Sequence, residues 1–312
     1  MDVAGYKEYF SSQIIDTYLQ MQDHYLESTG PVYKRMDLPE EPVKKTDELI
    51  YATSNIGLPQ PTKERQDYNR TKRETLGSTP INPVKYSQTV DLTEEAIWYY
   101  ENGDDEYLQR AIDEAKELPT VMFSRVDLET TDVWRLGFGQ TKHSAYDGKP
   151  LFASDHPLKR SSNTNDNTMG NAKLNPGNLK SAREKLNRMQ LDDGQPIKPA
   201  TNLCLMVGPD NQPEAWESAS AIGDPETANN RPNYNHSIEV LVNPWLKDSY
   251  ANYWFLIAKD RIRRTSVGLK WLKQPIFGAD GELTVGYETH AAVMDFDVFL
   301  NTYQHSVGSK GA

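Results

Sequence analysis

The stretch from Asp104 to Gly137 constrains this chain most. Its apolar residues Leu108, Ile112, Ala115, Met122, Val126, Val133 and Leu136 recur at steps of three, four and seven, the helical period. At about 1.5 Å per residue such a helix would reach roughly 50 Å. It opens with Asp104, Asp105 and Glu106, which suit the positive end of a helix dipole. It closes at Gly137 and Gly139, which suit a C-cap. Pro119 lacks a donor for its turn and predicts a kink or short break. The heptads are not sustained, the outer face is charged and nothing repeats, so coiled coil, membrane span and helical repeat do not fit. Two readings stay open: two ordinary helices broken at Leu118-Pro119, or one long spine on which a flat domain is built.

The 312 residues leave room for one large or two modest domains. With 37% hydrophobic residues and a mean hydropathy of -0.73, the chain is poor in core-forming residues. Its 17 Tyr and 6 Trp point to amphipathic contact surface. A net charge of -11 and a pI near 5.1 exclude a nucleic-acid binder in the ordinary sense. The single Cys204 excludes an intramolecular disulfide and is expected inside an apolar strand. No signal pattern opens the chain and no apolar run approaches the ~20 residues of a membrane helix, so folding in a cytoplasm is expected.

Upstream of the spine, Tyr6, Phe10, Ile14, Tyr18, Met21 and Tyr25 share a helical stripe ended by Gly30-Pro31. From Pro31 to Pro83, prolines punctuate the chain and no clear element fits, which predicts disorder or an arm ordered by a neighbour. Within it, residues 59–75 carry net +2, with Lys63, Arg65, Arg70, Lys72 and Arg73. Val84 to Leu92 alternates as a strand, and Thr93 suits a helix cap. Downstream, Ser161 to Pro176 reads as a flexible connection. Asn178 to Met189 and Glu214 to Ile222 read as helices; Asn202 to Gly208, Ile238 to Val242 and Tyr253 to Ala258 read as strands, a mixed α/β unit. Leu283 to Tyr287 and Ala291 to Phe299 read as a closing strand pair before a short polar tail.

Catalytic patterns are missing. Gly137 to Ser144 has the wrong spacing for a phosphate loop, and there is neither a paired cysteine site nor a helical His-Glu-x-x-His. The best constellation is His143, Asp147, Asp155 and His156, which could hold Zn²⁺ in a hydrolase. Turn chemistry accounts for it better: Asp147-Gly148 is a turn, and Asp155-His156-Pro157 bonds local backbone. Arg261, Arg263 and Arg264 are expected on a strand edge facing a partner's carboxylates.

Several segments resemble, in order, the Mu-like major head subunit family of tailed bacteriophages. They are Asp147-Gly-Lys-Pro-Leu-Phe-Ala-Ser-Asp-His-Pro157, Leu174-Asn-Pro-Gly-Asn-Leu179, Asp192-Asp-Gly-Gln-Pro196, Leu203 to Pro209, Val242-Asn-Pro-Trp-Leu246 with Tyr253-Trp-Phe-Leu256, and Gly286-Tyr287 through Asp295-Phe296. The similarity runs from about Thr89 to the C-terminus; Phe296-Asp297 stands where the family pattern has Phe-Gly.

The resemblance implies an α+β fold, the major capsid protein fold of tailed phages and herpesviruses. Its parts would be an N-terminal arm (1–58), an extended loop (59–90), a peripheral domain with the spine helix (91–173), an axial domain (174–276), and closing strands of the peripheral domain with the tail (277–312). The spine reading is then favoured across Pro119. The implied function is self-assembly through hexamers and pentamers into an icosahedral head around double-stranded DNA, without enzyme activity, metal or cofactor. The implied partners are other copies of the chain, a separate scaffolding protein, a portal and a decoration protein; the implied location is the virion, assembled in the host cytoplasm. A minor head or tail structural protein is the other reading. A chain beginning at Thr89 is expected to keep much of its domain fold and lose assembly. In this fold the extended loop lies across a neighbour. The basic residues 63–73 are therefore expected near Asp104, Asp105 and Glu106 of the adjacent copy, where residues 101–117 carry net -5.

Overall fold

The computed structural model describes residues 3–28, 31–56, 72–139, 143–220, 233–280 and 287–311. Helix α1 (Val3–Ser28) is followed by the single turn α2 (Val32–Arg35) and the short strand β1 (Glu40–Pro42). Strands β2 (Leu49–Thr53) and β3 (Thr75–Pro80) pair antiparallel as a separate ribbon. Strand β4 (Val84–Thr93) runs into α3 (Glu94–Glu101), and the long helix α4 (Glu106–Arg135) comes next. Two-residue strands β5 (His156–Pro157) and β6 (Thr164–Asn165) precede α5 (Pro176–Arg188). Then come β7 (Leu203–Val207), α6 (Gln212–Ser220), β8 (Glu239–Val242) and β9 (Trp254–Ala258). The chain closes with β10 (Val267–Asp280), β11 (Tyr287–Leu300) and β12 (Ser306–Ser309).

The helical period becomes one helix of 30 residues, about 45 Å long. It continues unbroken through Pro119. Proline removes one hydrogen bond there, but Pro119 and its neighbours Leu118 and Met122 are buried, so packing on the apolar stripe holds the turn. Ala111, Ala115, Val126 and Val133 complete that stripe. Helix α1 covers one side of it with Ile14 and Tyr18, both fully buried, and Tyr25 stacks on Phe123 at 5.8 Å. Ile14, Tyr18 and Tyr25 of the α1 stripe therefore find their partners within the same chain.

A four-stranded sheet in the order β1-β10-β11-β4 covers the other side. Along β11, His290, Ala292, Met294, Phe296, Val298 and Leu300 are buried while most residues between are less so, the period of two expected of a half-covered strand. Strand β1 joins parallel to β10, so residues 31–56, the described start of the proline-rich segment, pack on their own chain, contrary to expectation. A chain beginning at Thr89 would lose half of β4 and the buried Ile14, Tyr18, Tyr33 and Met36, so it would not keep this fold. Ala291 to Phe299 lies within β11, whose long partner is β10; the other expected strand, Leu283 to Tyr287, lies for the most part outside the described residues. Two register shifts between Trp271 and Ile276 hide β10 from a period-of-two search.

The second sheet has the order β12-β9-β7-β8. Strands β7 and β9 are buried on both faces, which is why they read as continuous apolar runs. Leu203, Leu205 and Val207 face α5 and α6; Cys204 and Met206 face the core shared with α4. The closing residues are not a polar tail: Ser306–Ser309 are buried and pair with β9. Nor is Ser161 to Pro176 a loose connection. Asn167 donates to the Leu151 and Ser306 carbonyls at 2.6 and 3.3 Å and accepts from the Ala153 amide at 2.9 Å. Asn165 joins the Gln190 carbonyl and amide at 2.8 and 2.9 Å.

Phe152 is the wedge between the two sheets. A Cβ on Gly308 would lie 2.8 Å from its ring, and a Cβ on Gly137 would lie 3.0 Å from it and 2.9 Å from the Val133 carbonyl. Gly137 thus ends the spine as expected, but it is required by the ring packed against it, since no left-handed turn is made there. We expect Gly308→Ala to destabilise the chain by about 1–3 kcal/mol through overpacking, lowering the thermal midpoint measured by circular dichroism. Adding Phe152→Leu should recover part of the loss.

Candidate assembly interface

Residues 57–71, between β2 and β3, lie outside the described residues; polar contacts fix the β2–β3 ribbon on the rest of the chain. Ser54 and Glu74 exchange hydrogen bonds at 2.8 and 2.9 Å. Asn55 donates from its amide to Asp192 at 3.2 Å and from its side chain to Asp193 at 2.8 Å. Lys159 reaches the Leu76 carbonyl, and Gly77 lies so close to Tyr146 that a Cβ would sit 2.6 Å from the Tyr146 carbonyl oxygen. Of the basic residues, Lys72 and Arg73 are exposed just beyond the ribbon; Lys63, Arg65 and Arg70 lie outside the described residues.

At the other candidate surface, Asp104 accepts from the Glu106 amide at 3.1 Å as the spine begins. Arg110 pairs with Glu106 and lies over the Tyr107 ring at 5.5 Å; Lys116 pairs with Asp113 at 2.7 Å. These two cations leave the segment strongly acidic. Exposed Trp98 and Tyr107 accompany the charge, both set on half-buried Tyr99: Trp98 meets it edge-on at 5.2 Å, and Tyr107 stacks on it at 4.9 Å. Within one chain the described ion pairs do not join Lys72 or Arg73 to Asp104, Asp105 or Glu106.

The segment before this ribbon is tied down by charges that sequence reasoning missed. Lys270 on β10 is buried between Glu41 and Glu48, 2.9 Å from each. Burial pushes Glu48 up, but the hydrogen bonds from Lys270 and the Lys44 amide outweigh it and hold the carboxyl below its usual range. Asp127 on α4 accepts from the Tyr33 amide at 3.0 Å and so fastens α2 to the spine. Burial raises its carboxyl to about 6, against the pull of the Val32 and Tyr33 amides. His305, packed edge-on against Trp134 at 6.2 Å, is pushed down to about 4 by burial.

These two buried groups act on stability with opposite signs. The folded chain holds the Asp127 proton to a higher pH than the unfolded chain does. Its contribution is therefore complete below about pH 4 and lost as pH rises through 6. His305 contributes above its unfolded value near 6.5, and that contribution is lost as pH falls toward 4. Asp127→Asn keeps an acceptor for the Tyr33 amide. We expect it to gain about 1–3 kcal/mol over the unsubstituted chain at pH 8 relative to pH 4, read by urea denaturation at both values.

The residues considered for a metal do not converge. His156 is fully buried, with Nδ1 2.6 Å from Asp147 Oδ2 and Nε2 3.2 Å from the Leu151 carbonyl oxygen, and it stacks on Tyr303 at 3.6 Å. Asp155 is exposed and paired with Lys149. His143 lines a separate cleft with Asn82 and Asp297. Both imidazole nitrogens of His156 are thus engaged in holding the turn. Arg261 is not on a strand edge either: it donates to the Leu186, Gln304 and Lys198 carbonyls at 2.8, 3.3 and 2.7 Å, clamping α5 to the chain's end. Arg264 meets Glu41 of its own chain at 3.3 Å.

No family model matches the sequence, and no curated protein matches it. Solved structures do match. The capsid of Ralstonia phage GP4 is 11% identical, with a TM-score of 0.54 over 87% of this chain and 86% of that one. The capsid of the cyanophage P-SCSP1u is 8% identical, with a TM-score of 0.55 over 89% and 87%. The acidic stable capsid of Helicobacter pylori bacteriophage KHP30 is 10% identical, with a TM-score of 0.52 over 86% and 85%. At such identities the likeness is one of fold. The α+β chain has the tailed-phage major capsid protein fold, with its spine in α4.

Proposed function

We propose that this chain is a major capsid protein, whose copies join into hexamers and pentamers and close into an icosahedral head around double-stranded DNA. The observation that carries this is the match of fold over nearly the whole length to capsid chains. The engagement of His156 in its turn gives the hydrolase reading no support. No helix among the described residues is long and apolar enough to cross a membrane. On this reading the role is structural, the chain is akin to the Mu-like major head subunits, and residues 1–58, 59–90, 91–173, 174–276 and 277–312 are arm, extended loop, peripheral domain, axial domain and closing segment. A scaffolding protein, a portal and a decoration protein are its partners, and the virion is its place after assembly in the host cytoplasm. Negative-stain microscopy of the purified chain at high concentration tests it: closed shells or rings of five and six are expected, and a persistent monomer would count against it.

The same reading assigns a contact between subunits. Lys63, Arg65, Arg70, Lys72 and Arg73 of one copy lie near Asp104, Asp105 and Glu106 of the next. Each exposed pair would add only about 0.2–1 kcal/mol. Several pairs around a ring still shift assembly, since about 1.4 kcal/mol is tenfold in an equilibrium constant. Arg70→Glu with Lys72→Glu should impair capsomer formation, and Asp105→Lys with Glu106→Lys on the same chain should partly restore it. Light scattering at low and high salt reads the effect; normal assembly of the loop variant at low salt would refute the pairing.

A further inference from the structure

The second sheet carries opposite charge at its two edges. Helix α6 packs along β7 and β8, and α5 along β9 and β12. From Pro209 to Ser220 there is no Lys or Arg. Asp210, Glu214 and Glu217 are exposed there, and between them Trp216 projects with 53% of its surface open to solvent. A large exposed indole on a helix that carries only acidic charge is unusual for a free surface, because tryptophan gains most when it is covered.

The opposite edge offers a groove of about 550 Å³, between the Ser162–Asp166 segment and the last turns of α5. Thr168 bridges to Gly308, which sets this groove beside β12, across the sheet from α6. Lys185 and Arg188 line it, and Lys180 is exposed one turn earlier. Carboxylates are present as well: Lys185 binds Asp166 and the Thr168 carbonyl, and Arg188 lies 3.6 Å from Glu184. Arg183 is held over the Tyr234 ring at 4.2 Å, toward the end of α6; without it Lys180, Lys185 and Arg188 against Asp166 and Glu184 leave this edge net +1.

A knob and a groove at opposite edges of one sheet cannot meet within a chain. They meet between copies related by rotation, and such head-to-tail contacts close into rings. We infer that Trp216, on its acidic helix, seats in the groove beside Lys185 and Arg188 of the next copy. This rests on the capsid reading and adds to it the residues that join neighbouring copies. The exposed Arg188 guanidinium would lie over the indole, and Glu214 and Glu217 would face Lys180 and Lys185.

The sole cysteine makes a direct test possible. Cys204 is fully buried and its thiol is pushed up to about 12 by burial, so it will not compete with introduced thiols. The full chain carrying Glu217→Cys and Asn163→Cys is assembled, oxidised and run on a non-reducing gel, with each single variant as control. A ladder of linked copies ending at five and six, seen only for the double variant, is the expected result. In a second arm, Glu214→Lys with Glu217→Lys should raise the concentration needed for assembly about tenfold with an unchanged circular dichroism spectrum. Lys180→Glu with Arg188→Glu on the same chain should restore part of it. Shells that form without cross-links, or a Glu214→Lys, Glu217→Lys chain that assembles at the unsubstituted concentration, would overturn this contact and leave the capsid reading standing. An unsubstituted chain that forms neither ring nor shell would overturn both.

Discussion

A 30-residue helix with an apolar stripe along its length is stable only where something covers that stripe. Most of the chain serves this need. Helix α1 lies on one side with Ile14 and Tyr18, and the sheet β1-β10-β11-β4 lies on the other with Met294 and Phe296. At the far end Asn243 donates to Thr131 at 2.8 Å, which ties the second sheet to the same helix. Pro119 is tolerated for the same reason: one missing hydrogen bond is small beside the burial that a break in the helix would undo. The arm segment is then fastened to this assembly by two buried charges, Asp127 and Lys270, each satisfied by partners from the N-terminal fifty residues.

Elements whose burial follows a simple period were legible in the sequence. The spine, α1, α5, β4 and the doubly buried β7 and β9 stand where their apolar residues place them. Elements that depend on a distant partner were not. Strand β1 is three residues ending in proline, and only the edge of β10 makes it a strand. Strand β10 itself loses its alternation at two bulges around Leu272 to Pro275. Strand β12 is Ser-Val-Gly-Ser, whose composition reads as a tail until β9 and the Phe152 ring are set beside it.

The candidate interface was legible as charge rather than as geometry. The acidic start of the spine and the basic run before it stand out in the sequence, and the structure places Asp104 and Glu106 at the exposed first turn. The anchors of the ribbon, such as Asn55 on Asp192 and Asp193, join residues more than a hundred positions apart and leave no local trace. The Asp147 to Pro157 segment illustrates the opposite error. Two imidazoles and two carboxylates close in sequence suggest a shared ligand, yet His156 spends both nitrogens on its own turn and His143 faces elsewhere.

The place of β12 has a consequence for how the chain matures. Strand β9 is made nearly fifty residues before the strand that pairs with its outer edge. Throughout that interval a nascent chain holds an unpaired row of backbone groups along Trp254–Ala258, flanked by apolar side chains. Such an edge invites pairing with a wrong chain. The two sheets are also interleaved along the chain, with β10 and β11 translated between β9 and β12. The first sheet has all its strands once β11 is made, while the second must wait for β12, so folding has a built-in order in which the last strand seals the second sheet.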